Sequence, residues 1–160
     1  MNKQELVRKI IDLLSLEAKN LANAAKTARA DATNAESKAE NKYDTRGLEA
    51  SYLAGAQAKM AAECAENIAF YKTLKLKDFT NKSKIALTAL VEIEANEGKR
   101  IFYFLGPKGG GAEIEQDGVK ILVVTPSSPL GGKLIGREVG DCLTMSIGDT
   151  IKEYEIISIE

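Results

Sequence analysis

Residues Lys3 to Ala35 read KQELVRKIIDLLSLEAKNLANAAKTARADATNA. Within that stretch Val7, Ile11, Leu14, Ala18, Leu21, Ala25, Ala28, Ala32 and Ala35 recur at alternating steps of three and four residues. That spacing lines them up along one side of a helix, as the a/d seam of a coiled coil. A second series, Tyr43, Gly47, Ala50, Ala54, Gln57, Ala61, Cys64, Ile68 and Tyr71, repeats the pattern. One continuous helix would leave both stripes bare. The pattern therefore predicts an antiparallel helical hairpin over residues 1–75.

The turn of this hairpin has two candidate positions. One is Thr33–Ser37, where Ser37-Lys38-Ala39-Glu40 matches a capping box and the arms come out nearly equal, 3–34 and 37–73. The other is Asp44-Thr45-Arg46-Gly47, a cap residue followed by a glycine. Either arm would extend on the order of 45–50 Å at 1.5 Å per residue. The seam is Val, Ile and Leu near its base and Ala toward the turn. Small side chains bury little apolar area, and they predict helices that approach closely in the distal half.

Composition changes along the chain. All three prolines lie in the second half, and 11 of the 13 glycines fall at Gly98 or later. A linker is expected at 76–83 and a second domain at 84–160. Strands are expected at 85–94, 100–105, 119–125, 142–147 and 151–159, in a small antiparallel sheet. Ser128 followed by Pro129 predicts the start of one short helix, which Gly136 would end. The fold class is α+β.

The residue inventory excludes several chemistries. The 160 residues include no histidine and no tryptophan, with 22 basic and 23 acidic side chains. Without an imidazole neither a Ser-His-Asp triad nor a Cys-His pair can be built. Two cysteines, Cys64 and Cys142, are too few for the usual three or four zinc ligands. Their separation fits reduced thiols, and both are expected in the core. A net charge of -1 argues against a protein held mainly by nucleic-acid phosphates. No signal peptide and no membrane span are visible in the sequence, which predicts a soluble cytoplasmic protein.

Other patterns carry ordinary readings. The run Gly106-Pro107-Lys108-Gly109-Gly110-Gly111 reads as a hairpin loop, because no Gly-Lys-Ser/Thr follows it. Phe102, Tyr103 and Phe104 alternate along a strand, so one face is expected in the core and the other as an exposed contact.

Two stretches carry a family likeness. The segment Glu36-Ser37-Lys38-Ala39-Glu40-Asn41-Lys42-Tyr43 resembles the acidic tip of the bacterial transcript-cleavage factors GreA and GreB. Residues 127–141, SSPLGGKLIGREVGD, are similar to the Ser-Pro-[Ile/Leu]-Gly-x-x-Leu-[Ile/Leu]-Gly-x-x-x-Gly-Asp stretch of that family's C-terminal domain. Glu153-Tyr154-Glu155-Ile156 fits its last strand. The chain looks like a divergent GreA/GreB-like branch, with Glu36 and Glu40 four apart where the main family keeps its tip carboxylates three apart.

The resemblance implies a coiled-coil arm, an FKBP-like C-terminal domain and RNA polymerase as partner. It implies contact with nascent RNA only inside that complex. Tip carboxylates of the family help hold a Mg2+ ion of the polymerase, so Glu36 and Glu40 are the first candidates as catalytic and metal-binding residues. Asp44 and Glu49 come next, and the order reverses if the turn lies at 44–47. Ser128, Pro129, Leu130 and Gly131 are the candidate docking residues. The bland alternative keeps Glu40 as a capping-box partner and Glu36 as a solvated turn residue. The chain would be an accessory factor, with no zinc or cofactor of its own, that stimulates cleavage of backtracked RNA. The resemblance has the coiled-coil tip enter the polymerase's secondary channel; alternatives are a non-catalytic regulator occupying that channel and a coiled-coil adaptor with an unrelated partner.

Overall fold

The computed structural model describes residues 1–33, 45–95, 98–147 and 150–160. They divide into two compact units: residues 11–69, and residues 1–10 together with 70–160.

The first unit holds most of α1 (Lys3–Thr33) and α2 (Arg46–Lys72). Every described member of the two seams is buried or half-buried. Ala28 and Cys64 are among the fully enclosed ones. Glu17 of α1 lies close enough to Cys64 of α2 to act on its thiol, while Ala22–Thr33 and Ser51–Ala61 line one cleft. The helices therefore run antiparallel.

The expectation of close approach in the distal half does not hold. An open cleft of about 630 Å³ separates the alanine-rich stretches, lined by Ala22, Ala25, Ala32, Ala54, Gly55, Ala58 and Ala61. Lys26 and Arg29 also border it. Methyl side chains bury little apolar area, so little free energy draws the helices together there.

Residues 34–37 of the first candidate turn and Asp44 of the second lie outside the described residues. α1 ends at Thr33, and α2 begins at Arg46 after Thr45. Arg46 and Gly47 of the second candidate turn are thus helical.

The second unit is built on one sheet. Among the described residues it contains β1 (Leu90–Ala95), β2 (Arg100–Leu105), β3 (Glu113–Gln116), β4 (Val119–Val124), β5 (Cys142–Ile147) and β6 (Thr150–Ile159). Their order is β3-β4-β2-β1-β6-β5. The expected α+β architecture stands, with one change: β2 and β4 pair in parallel, so the sheet is mixed.

The parallel pair follows from β3, which the strand reading did not contain. β3 and β4 form a hairpin through Asp117 (φ 54°) and Gly118 (φ 75°), the two left-handed residues of a tight turn. The β2–β3 connection carries the Gly106–Gly111 run, so that run is a crossover loop and not a hairpin loop.

Both faces of the sheet are covered where the aromatic run lies. Val91, Ile93, Tyr103, Leu105, Tyr154 and Ile156 form one core with Leu134 of α3 (Pro129–Leu134). Phe104, Ile121 and Val123, on the opposite face, are also fully buried. Phe102 is half-buried. The expected exposed aromatic contact is therefore absent at Phe104.

The first residues of α1 belong to this unit. Leu6 and Ile10 are fully buried although neither lies on the seam. Asn2 caps the helix, its Oδ1 accepting from the Gln4 and Glu5 amides at 3.0 and 3.2 Å. Gln116 Nε2 donates to the Asn2 carbonyl, and Lys9 Nζ donates to the Glu115 carbonyl at 3.0 Å.

Candidate functional site

The segment 127–141 is built from backbone requirements. Ser128 is the N-cap of α3, extended at φ -73° and ψ 153°. Its hydroxyl accepts from the Gly131 amide at 3.0 Å and donates to the Thr125 carbonyl at 2.8 Å. One hydroxyl thus satisfies a helix-start donor and a loop acceptor. Gly131 is buried against that same Thr125 carbonyl, in a space that a Cβ would overlap.

The rest of the motif anchors the segment to the sheet unit. Gly136, at φ +79°, follows the helix as the sequence predicts, and its amide donates to the Ile85 carbonyl at 2.8 Å. The Ile85 amide returns a bond to Arg137. Gly140, at φ +88°, donates to Ile156, whose amide bonds to the Asp141 carbonyl. Asp141 Oδ2 accepts from the Glu138 amide at 3.0 Å. The glycines at 136 and 140 thus occupy left-handed positions that other residues rarely adopt.

Of the candidate docking residues, Ser128 and Gly131 are occupied by the fold and Leu130 is half-buried against the core. Pro129 is exposed. Ile135, the residue after α3, is 43% exposed, and Ile151 at the start of β6 is 72% exposed. Neither stood out in the sequence, because a single apolar residue after a helix or in a strand normally packs inward.

Glu36, Glu40 and Asp44 lie outside the described residues. Glu49 is on the first turn of α2, with its Oε1 accepting from the Thr45 hydroxyl at 2.8 Å. Among the described residues no group of His, Cys, Asp or Glu is arranged to hold a metal ion. Cys64 is buried as expected, and burial, with Glu17 and Glu63 adding to it, pushes its thiol upward. Cys142 is exposed, contrary to its expected place in the core; it sits on edge strand β5, opposite Glu155.

A network of another kind lies on the sheet. Arg100 binds Glu94 at 2.8 Å and Glu92 at 2.9 Å, which raises its already high pKa. The arrangement holds two neighbouring carboxylates of β1 together across the β1–β2 pair.

These features now stand beside known proteins. Over 82 residues the chain is 34% identical to transcription elongation factor GreA of Thermodesulfovibrio yellowstonii. That stretch is 49% of this chain and 47% of the relative, so the match spans about half the length of the curated relative. The chain is thus similar in sequence to GreA, as the motif at 127–141 indicated. No protein-family model matches it.

Among solved structures it resembles Gfh1 of Thermus aquaticus at 22% identity, over 95% of this chain and 92% of that one, with a TM-score of 0.42. It resembles GreA factor homolog 1 of Thermus thermophilus at 20% identity, over 96% and 94%, with a TM-score of 0.39. A GreA/GreB factor from Nitrosomonas europaea aligns at 15% identity over 60% and 78%, with a TM-score of 0.36. These superpositions are loose.

Proposed function

We propose that this chain is a transcription factor of the GreA/GreB type that binds RNA polymerase and stimulates cleavage of backtracked RNA. The observation that carries the reading is the 34% identity to GreA over 82 residues. The helix pair and the built segment around α3 support it.

In this reading the protein is an accessory factor acting in the cytoplasm, without an active site of its own. The helix pair enters the secondary channel. Docking uses the α3 segment, with Pro129 as the exposed member of the candidate set. Glu36 and Glu40 are the proposed ligands of a Mg2+ ion held by the polymerase. A carboxylate suits that task because Mg2+ binds a few carboxylates beside substrate oxygens and water.

The test is RNA cleavage in stalled, backtracked complexes with purified polymerase. Stimulated cleavage that is lost in both Glu36→Ala and Glu40→Ala supports the whole reading. Binding without cleavage at any magnesium concentration removes the cleavage claim and leaves a non-catalytic occupant of the channel, the reading that the four-residue spacing of the two glutamates favours. No binding to polymerase overturns the proposal and points to an adaptor with another partner.

A further inference from the structure

Residues 73–83 join α2 to the sheet unit without regular secondary structure. Lys75, Lys77, Asp78, Thr80, Asn81 and Lys82 are exposed. The segment is nevertheless tied down at definite points. The Lys77 amide donates to Thr88 Oγ1 at 3.0 Å. The Lys77 carbonyl accepts from Lys3 Nζ, which also stands 4.8 Å from the centre of the Phe79 ring. Phe79 is half-buried and packs on the sheet core.

Thr88 is the unusual member. It is buried, β-branched and left-handed at φ +75°, a conformation that such residues seldom adopt. It is the third residue of a turn closed by the Ala89 amide donating to the Ala86 carbonyl at 3.1 Å, a position that takes positive φ, and its own amide donates to the Leu105 carbonyl at 2.8 Å. Strain therefore sits in the sheet loop, while the hydroxyl of the same residue holds the chain segment outside it.

We propose that residues 73–83 form a strap that opens as a unit before the sheet unfolds, with Thr88 as its catch. The strap's apolar side chains Leu74, Leu76 and Phe79 are half-buried and none is fully enclosed. Besides Thr88, the Ile159 amide reaches it through Asn81 Oδ1 at 3.5 Å. Segments with few buried apolar contacts open locally. Opening bares the apolar surface under Phe79 and frees Lys3 at the start of α1.

Hydrogen exchange of the full chain tests this. In the wild type, the Lys77 amide should exchange through an opening insensitive to low denaturant. The Ile156 amide, bonded to Asp141 inside the sheet unit, should follow global unfolding. Thr88→Gly relieves the backbone and removes the catch. It should speed Lys77 exchange by about tenfold while the global unfolding midpoint holds or rises. Thr88→Ser keeps the hydroxyl and should exchange close to the wild-type rate. The proposal is overturned if Lys77 tracks Ile156 in the wild type. It is equally overturned if Thr88→Gly leaves Lys77 unchanged or lowers the global midpoint.

Discussion

The Tyr71 hydroxyl donates to the Lys108 carbonyl at 2.7 Å, fixing the end of α2 to the loop between β2 and β3. Gly106 lies against the same phenol, in a space that a Cβ would overlap. Tyr71→Phe should cost about 1 kcal/mol, the net value of one such bond. Gly106→Ala should cost more, because backbone and phenol compete for one position. Combining the two should recover part of the sum, since removing the hydroxyl vacates the clash. Urea denaturation of the four proteins checks the cycle; strict additivity would count against this geometry.

Burial pushes the Tyr71 phenol well above its ordinary value of 10.0. A raised pKa means that the folded state favours the protonated form. Its contribution to stability is complete below the unfolded value and is lost as pH rises from there through the folded value. Thermal midpoints should therefore fall above about pH 10, and Tyr71→Phe should blunt that fall. Tyr103, raised mainly by burial and then by Tyr154, adds to the same trend and leaves a residual slope in the variant.

Ser128→Ala should destabilise the sheet unit by about 1 kcal/mol through loss of the cap. Ser128→Asp restores the acceptor for the Gly131 amide but cannot donate to the Thr125 carbonyl. It should recover only part of the loss, as read by chemical denaturation. Full recovery would mean that the Thr125 bond contributes nothing.

Gly131→Ala sets a Cβ against backbone, which cannot rotate away as a side chain can. A loss on the order of 2–4 kcal/mol is expected. A change within experimental error in the unfolding midpoint would contradict the close approach to Thr125.

The cleft between α1 and α2 predicts gains. Ala58→Leu or Ala25→Leu places apolar volume where open space lies, and each should add about 1 kcal/mol. Thermal unfolding followed by helical circular dichroism measures this. A lowered midpoint in both would show that the helices already close at these positions.

The two seams were legible from residue order because burial on a helix pair repeats every three or four residues, and every described member is buried or half-buried. The cap at Ser128 and the end at Gly136 were legible for the same local reason. β3 was missed because its four residues, EIEQ, carry two charges. The Asp117-Gly118 pair beside it was the available signal. The proposed tip carboxylates were read from resemblance alone.

Other features depended on which distant segments meet. Leu6 and Ile10 are off the seam, and only their membership of the sheet unit accounts for their burial. The parallel β2–β4 pairing, the covered Phe104 face and the exposure of Cys142 follow from strand order, which local patterns do not encode. The strained Thr88 is not announced by the sequence, because the turn Ala86–Ala89 that gives it a positive φ carries neither glycine nor asparagine at that position. The sequence by itself determined the elements whose causes lie within a few residues. The tertiary structure decided those whose causes are contacts across the fold.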